Sequence, residues 1–224
     1  MQIREVGSRG VLFTFDDLST TEYDCTTNVY LIDGNHHIFI CDTYLGPAVM
    51  EKIVDYIQAN LEWKPIVVFN SHRDWDHIWG NCYFHYTPII AHQSCREMII
   101  RDGEIGLKEH QEMQQGDVEI VLPNLTFDKR INFPEDGVEF YYTPGHTIDS
   151  ASCLDQVDKI LFAGDNVEEP HPYLQYDNLD RYITTLKEYL ELDIEAIIPG
   201  HGEISDKDLV KRNIAYINEE ISKK

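Results

Sequence analysis

The chain has 224 residues, 42% of them hydrophobic, which is enough apolar surface for one substantial core and predicts a single domain over residues 1–224. Its formal charge of −22 repels nucleic-acid phosphates, so we expect a small-molecule substrate rather than DNA or RNA. Residues 1–5 lack the apolar stretch of a secretory signal, and no apolar run is long enough to span a bilayer, which predicts a cytoplasmic protein without a membrane partner.

The first part of the chain carries strand signals and one helix signal. Asp33-Gly34-Asn35 is a strong hairpin turn between two apolar runs. A helical pattern begins at Gly46-Pro47 and places Val49, Ile53 and Ile57 on one face. Strands are predicted over residues 11–15, 28–32, 38–41, 65–69 and 89–91.

The second half repeats this kind of alternation after an irregular segment. Residues 93–115 are charged, and Gly103 and Gly106 are expected to break their helical pattern, so the segment could form a lid. Strands are predicted over residues 119–122, 130–133, 138–142, 150–154, 159–163 and 196–198, and helices over 179–190 and 206–222. The pattern predicts an α+β protein in which two sheets pack together with helices outside.

The five cysteines carry no CxxC spacing. Such a set indicates reduced and mostly buried thiols rather than a zinc knuckle.

The most informative stretch follows the apolar strand 65–69 and reads Ser71-His72-Arg73-Asp74-Trp75-Asp76-His77. Four of its side chains are of metal-binding types, namely His72, Asp74, Asp76 and His77. Three more candidates follow downstream in Gly-flanked turns: His146, Asp165 and His201. Loops at strand ends are where binding residues usually lie. Seven nitrogen and oxygen ligands suit a two-metal site, which is an arrangement for hydrolysis.

The remaining histidines are not part of such a group of metal-binding residue types. A lone histidine is usually a packing or surface residue, and this is the role we expect for His36, His37, His85, His92, His110 and His171.

These ordered motifs resemble the metallo-β-lactamase-fold hydrolase superfamily. The family pattern is His-x-His-x-Asp-His, then Pro-Gly-His, an Asp after an apolar strand, and a final Gly-His. The resemblance runs from about residue 28 to 201 and implies an αββα sandwich. It also implies a first metal site of His72, Asp74 and His146, a second of Asp76, His77 and His201, and Asp165 bridging them. A shared hydroxide would be the nucleophile, and Asp76 would orient it as the catalytic residue.

One residue departs from that pattern, because Asp74 stands where the family has its second histidine, giving His-x-Asp-x-Asp-His. The carboxylate makes the ligand set harder. Two divalent ions are still expected, with zinc the default and iron or manganese the alternatives. Flavo-diiron oxygen reductases carry Glu at this position, and the related domains of bacterial DNA-uptake proteins carry Asp.

The expected function is metal-dependent hydrolysis of a small ester, thioester, lactone or phosphoester. The alternatives are a diiron redox protein and a non-enzymatic metal-binding protein on the same scaffold. A homodimer is expected by resemblance only. Around the ligands, we expect Ser71, Thr147 or Asn166 to hold imidazoles. Trp75 and Trp79 either line the pocket or, as we favour, close its apolar floor. Tyr173 and Tyr176 are expected to pack in the loop 167–178, with substrate contact as the alternative.

Overall fold

The computed structural model describes residues 1–223, in which the apolar side chains alternate along the strands between two buried faces. In the strand Thr27–Asp33, Val29 and Leu31 join one apolar cluster, whereas Tyr30 and Ile32 join another. This period of two means that the strand is covered on both sides. The same division recurs in the second sheet, so the protein has four layers.

The elements follow in chain order, and the strands are β1 (Gln2–Val6), β2 (Gly10–Phe15), β3 (Thr27–Asp33), β4 (Ile38–Cys41), β5 (Ile66–Phe69), β6 (Ile89–His92), β7 (Leu125–Phe127), β8 (Arg130–Phe133), β9 (Val138–Tyr142), β10 (Ala151–Asp155), β11 (Ile160–Gly164) and β12 (Ala196–Pro199). The α-helices are α1 (Pro47–Asn60), α2 (Trp75–Ile78), α3 (Gln93–Glu109), α4 (Leu179–Glu191) and α5 (Lys207–Lys223).

The strands form two sheets. The first runs β1-β2-β3-β4-β5-β6-β7, and the second runs β12-β11-β10-β9-β8. One apolar cluster fills the space between the sheets, and it includes Phe39 and Phe69 from the first sheet and Phe140 and Phe162 from the second. A second cluster lies under α1 and α3, and a third lies under α4 and α5. The expected αββα sandwich is therefore confirmed.

Two sequence-based expectations were wrong. The helix α3 runs unbroken through Gly103 and Gly106, because burial of Cys95 and Ile99 holds it in place despite a cost of about 1 kcal/mol for each helical glycine. Residues 119–122 do not form a strand. Ile120 instead packs on the cluster under α1 and α3, and the edge strand is β7. The segment 93–109 is thus a helix rather than a loop.

Some features carried no signal in the sequence. The edge strand β1 is exposed at four of its five residues, so it shows no apolar alternation. The five cysteines are free thiols, and only Cys25 is not buried. Within residues 1–223, no helix combines the length and apolar content needed to cross a membrane.

Candidate metal centre

The candidate ligands lie where strands from both sheets end at one edge of the sandwich. The segment after β5 carries the first four, the turn after β9 carries His146, and Asp165 and His201 follow β11 and β12. Backbone hydrogen bonds join these loops across the sheets, with Ala151 donating to Ser71 at 2.8 Å and Asn28 donating to Gly200 at 2.8 Å. Residues distant in sequence are thereby held on a rigid frame.

The first group consists of His72, Asp74 and His146. Asp74 Oδ2 lies 3.5 Å from Nε2 of each histidine. Oδ2 of Asp165 closes the group, at 3.6 Å from His72 Nε2 and 3.8 Å from His146 Nε2. One nitrogen or oxygen atom from each of four side chains therefore faces a common centre.

The second group consists of Asp76, His77 and His201. Asp76 Oδ2 lies 3.6 Å from His77 Nε2 and 3.4 Å from His201 Nε2. Asp165 Oδ1 lies 3.4 Å from His77 Nε2, and its Oδ2 lies 3.2 Å from His201 Nε2. The structure thus brings all seven sequence-derived candidates together, with Asp165 between the two groups.

The spacing and the unused valences of these atoms fit metal ions. A tetrahedral zinc site with bonds of about 2.0–2.1 Å places its ligand atoms roughly 3.3–3.4 Å apart, close to the separations above. Three buried atoms in the cluster, His72 Nε2, His77 Nε2 and Asp165 Oδ1, have no hydrogen-bond partner. Buried polar atoms without partners are costly and rare. Cations between the two groups would satisfy them.

The opposite nitrogen of each imidazole is held by an outer partner. The Nδ1 atoms of His146 and His201 donate to the backbone carbonyls of Tyr173 at 3.0 Å and of Thr26 at 2.9 Å. A carbonyl can only accept, so these rings carry the proton on Nδ1 and direct the Nε2 lone pair inward. This tautomer is the one that a metal ligand of this orientation requires.

Asp42 organises the other two rings. Its Oδ2 accepts from His77 Nδ1 at 2.8 Å and from Ser71 Oγ at 2.7 Å. Because the Ser71 hydroxyl donates to Asp42, it accepts from His72 Nδ1 at 2.9 Å. All four rings therefore share one tautomer.

The sequence-based expectations for the outer partners were correct only in part. Ser71 holds an imidazole as expected, whereas Thr147 bonds to Ser150 instead. Asn166 accepts from the backbone N–H of His146 at 2.7 Å rather than from a ring. Sequence reasoning missed Asp42, which follows β4 and carries a φ of 63°. A positive φ at a non-glycine residue is uncommon and often marks a functional site. This signal is visible in the structure but not in the sequence.

Two buried carboxylates of the cluster, those of Asp74 and Asp165, have pKa values on which burial and the neighbouring histidines act in opposite directions. Burial raises the pKa of Asp74, but the contacts of its carboxylate with the imidazoles of His146 and His72 outweigh burial and hold the pKa well below its usual range. Burial likewise raises the pKa of Asp165, but the neighbouring imidazoles of His201 and His77 outweigh burial and hold this pKa well below its usual range. Both carboxylates are therefore charged at neutral pH, as cation ligands must be.

The loop 167–178 covers the outer side of the first group. Nε2 of Gln175 donates to Asp74 Oδ2 at 3.1 Å and lies 3.5 Å from His146 Nε2. Glu168 lies 3.6 Å from His146 Nδ1, and burial together with the charge of Asp165 raises the pKa of Glu168 to about 7. Tyr173 is 67% exposed, and its contact with the cluster is the hydrogen bond that its backbone carbonyl accepts from His146.

The aromatic residues beside the motif divide into two kinds. Trp79 is buried in the apolar cluster under α1 and α3, as expected for a floor. Trp75 is half-buried and stacks on His110 with ring centres 4.5 Å apart. The other lone histidines make packing or surface contacts, as expected. Two stack on tyrosines, His92 on Tyr142 and His171 on Tyr216. Three lie beside carboxylates, namely His37 beside Asp136, His85 beside Glu119 and His36 beside Glu135.

Comparison with known proteins gives a consistent result. A family model described as "Metallo-beta-lactamase superfamily" matches residues 23–201. "Beta-lactamase-like protein 2 homolog" of Caenorhabditis elegans is 30% identical over 206 residues, which cover 92% of this chain and 56% of that protein. "Atrochrysone carboxyl ACP thioesterase" of Aspergillus fumigatus is 23% identical over 180 residues, which cover 80% of this chain and 51% of that protein.

Among solved structures, the metallo-beta-lactamase DIM-1 matches with a TM-score of 0.76 and 22% identity, covering 97% of this chain and 96% of its own. This likeness concerns the fold. The chain spans about half the length of the curated relatives named above, so their activities are not transferred with the match.

Proposed function

The chain belongs to the metallo-beta-lactamase superfamily, a family of metal-dependent hydrolases, and from this premise we propose that it hydrolyses a small ester, thioester, lactone or phosphoester at a dinuclear centre. The observation that carries the proposal is the cluster of four inward-facing Nε2 atoms and three carboxylates, in which buried atoms lack partners. The proposed ligands are His72, Asp74 and His146 for one ion and Asp76, His77 and His201 for the other, with Asp165 shared.

Bound divalent ions lower the pKa of water from 15.7 to about 7 and polarise a carbonyl or phosphoryl oxygen. The chain's own residues supply position and proton handling. The carbonyls of Thr26 and Tyr173 and the carboxylate of Asp42 fix the rings, so that little reorganisation is needed when substrate arrives. A carboxylate oxygen of Asp76, in the second group, orients the attacking water and receives its proton.

We propose two zinc ions as the resident metals. Imidazole and carboxylate ligands suit zinc, and the atom spacing is that of a tetrahedral zinc site. Asp74 makes the first group richer in oxygen than an all-histidine set, which favours iron or manganese more than such a set would.

The substrate class has separate support. The charge of −22 disfavours a polyanionic substrate, so a neutral small molecule suits the site better than nucleic acid. One relative is named as a thioesterase acting on an acyl carrier protein, which supports esters and thioesters as the first substrates to test.

The test is elemental analysis of the purified protein followed by turnover assays. We expect about two zinc ions per chain, hydrolysis of at least one p-nitrophenyl ester or acyl thioester, loss of turnover with chelator and recovery with zinc. Asp76→Asn should lose turnover, whereas Asp136→Asn, at the opposite end of the sheets, should keep it. Iron together with reaction towards dioxygen would favour the diiron redox alternative. A metal-loaded protein that turns over no ester, thioester, lactone or phosphoester would refute the proposal.

A further inference from the structure

A groove of about 360 Å³ lies between α2 and α3, beside the first ligand group. Its apolar lining comprises Trp75, Ile78, Trp79, Met98, Ile99 and Ile105. Charged and polar side chains complete the lining around these apolar ones, namely Arg73, Asp74, Asp102, Glu109, His110 and Gln175. Small-molecule sites have volumes of roughly 300–1,000 Å³. The groove therefore has the size of a site for a small ligand or for one arm of a larger one.

The groove borders the candidate metal centre at Asp74, the candidate ligand that belongs to its lining. Asp74 and Gln175, which are joined by a hydrogen bond of 3.1 Å, both line it. A substrate whose reacting carbon lies at the first group can therefore extend one substituent along the groove without crossing the protein core. Ile78, Trp79 and Ile99 form its buried floor.

A glycine on α3 keeps the groove open. A Cβ added at Gly106 would meet only Trp75 Cβ, at 3.8 Å, which is ordinary contact distance. The helix therefore tolerates a side chain at this position, and glycine there is not required by backbone conformation or by crowding. A longer side chain at residue 106 would occupy the space that the ligand needs.

The charges at the rim select against an anionic ligand. Asp74, Asp102 and Glu109 line the groove together with Arg73, and Asp102 is paired with Arg101, whose Nη2 lies 2.6 Å from Asp102 Oδ2. The Arg73 guanidinium is already shared between acidic partners, with Nε 3.6 Å from Asp74 Oδ1 and Nη1 3.8 Å from Asp149 Oδ1. A carboxylate in the groove would meet an excess of negative charge without a free partner.

We propose that this groove binds the acyl arm of the substrate, and that the enzyme therefore prefers esters and thioesters of neutral, apolar acids over those of acetic acid and over those whose acyl arm ends in a carboxylate. The inference rests on the proposed hydrolysis. In that reaction the oxygen of water bonds to the acyl carbon, the C–O or C–S bond breaks, and the leaving alcohol or thiol takes a proton, giving the free acid.

The experiment compares p-nitrophenyl acetate, p-nitrophenyl hexanoate and the mono-p-nitrophenyl ester of adipic acid with the zinc-loaded enzyme. Adipate has the same chain length as hexanoate but ends in a carboxylate. We expect kcat/KM for hexanoate to exceed that for acetate by at least about tenfold, since even one methylene in an apolar pocket is worth roughly 10–200-fold. We expect a factor of at least about ten over adipate as well, because its carboxylate would meet the negative charge of the rim. Equal handling of hexanoate and adipate would overturn the inference.

Gly106→Leu tests the location. It should lower the ratio of hexanoate to acetate kcat/KM by about tenfold, mainly by raising KM for hexanoate. Gly106→Ala, which fits at contact distance, should give a smaller drop and controls for folding. Glu104→Leu places the same side chain on the exposed part of α3, outside the groove, and should leave the ratio unchanged. A ratio unaffected by Gly106→Leu in a folded protein would refute the assignment.

Binding separates this inference from the proposed function. If the wild-type protein hydrolyses no ester, 1-hexanol is titrated against its tryptophan fluorescence, because Trp75 and Trp79 line the groove and 1-hexanol cannot be hydrolysed. A signal that saturates in the wild type and weakens in Gly106→Leu would support the groove while the hydrolase proposal fails. Absence of binding in the wild type would overturn the groove as well.

Discussion

The two ends of the sandwich contain the same chemical pair in different surroundings. At the end opposite the candidate ligands, His37 Nδ1 lies 2.8 Å from Asp136 Oδ2. At the ligand edge, His77 Nδ1 lies 2.8 Å from Asp42 Oδ2. Distance alone does not distinguish them. The His77 side chain is fully buried, and its other nitrogen has no partner, whereas the His37 side chain is 33% exposed to solvent.

The difference shows what identifies a binding site in this fold. Asp136 also accepts the backbone N–H groups of His36 at 2.6 Å and His37 at 3.2 Å, so its network joins the β3–β4 turn to the β8–β9 turn and is complete. The network of Asp42 ends in a ring that points at other unpartnered atoms. We call the network of Asp136 closed, because its hydrogen bonds are complete, and the network of Asp42 open, because a nitrogen of its histidine has no partner. A histidine–carboxylate pair thus stabilises the fold in a closed network and orients a metal ligand in an open one.

The strongest test of the open network is Asp165→Asn. The amide keeps the size of the side chain but removes the charge that both ligand groups share. We expect metal content to fall from about two ions per chain to one or fewer, and turnover to fall by more than about 100-fold, beyond the range typical of outer partners. Inductively coupled plasma mass spectrometry and ester turnover measure the two effects. Full metal content in a folded variant would contradict the shared role.

Asp42→Asn removes the outer partner while leaving every proposed ligand in place. We expect zinc affinity, measured by competition with a chromophoric chelator, to fall by about 10–100-fold. The matched control is Asp136→Asn, which makes the same change in the pair at the opposite end and should leave zinc affinity at the wild-type value. Equal losses in both variants would show that the two pairs do not differ in the way described above.

Much of this arrangement can be predicted from the sequence. The residues that cannot be predicted were missed for a common physical reason, which is that their contacts are made by the backbone or across the fold. The seven candidate ligands are found because each follows a strand or lies in a glycine turn, and because four of them lie within the six residues 72–77. The backbone carbonyls of Thr26 and Tyr173 leave no trace in residue identity. Asp42 lies thirty residues from the motif, so only the parallel pairing of β4 with β5 reveals it.

The fold shows the same limit. Strands covered on both faces, such as β3 and β5, have apolar runs that identify them. The exposed edge strand β1 does not, since Val6 is the one buried residue among its five. The glycines of α3 illustrate the converse, because tertiary packing of Ile99 overrides a local preference against helix.

Asp136→Asn should lower the free energy of unfolding, although it should leave metal binding unchanged. Burial raises the pKa of Asp136, but hydrogen bonds from the His36 backbone N–H and the His37 ring outweigh it and lower the pKa below the usual 3.8. A lowered pKa in the folded state means that the stabilisation is complete above the unfolded pKa and is lost as the pH falls through the folded one. We expect Asp136→Asn to cost about 1.5–3 kcal/mol at pH 7, from loss of charged hydrogen bonds.

The difference in unfolding free energy between wild type and Asp136→Asn should therefore shrink as the pH falls below about 3.8. Urea denaturation at pH 7, 5, 4 and 3 measures it. A difference that stays constant across this range would mean that the carboxylate charge contributes nothing to the closed network.

The smallest effect is expected from His36→Ala, which tests whether a histidine in the same turn matters when its side chain stands outside the network. The His36 ring is 60% exposed and lies 3.4 Å from a Glu135 carboxylate that is 80% exposed, so solvent screens the pair. The contact that His36 makes with Asp136 comes from its backbone N–H, which alanine retains. We expect unfolding free energy at pH 7 to change by less than about 0.5 kcal/mol and zinc content to stay at the wild-type value. A loss of unfolding free energy as large as that of Asp136→Asn would mean that the His36 ring belongs to the closed network. The difference between the two histidine–carboxylate pairs would then depend on exposed side chains as well as on buried ones.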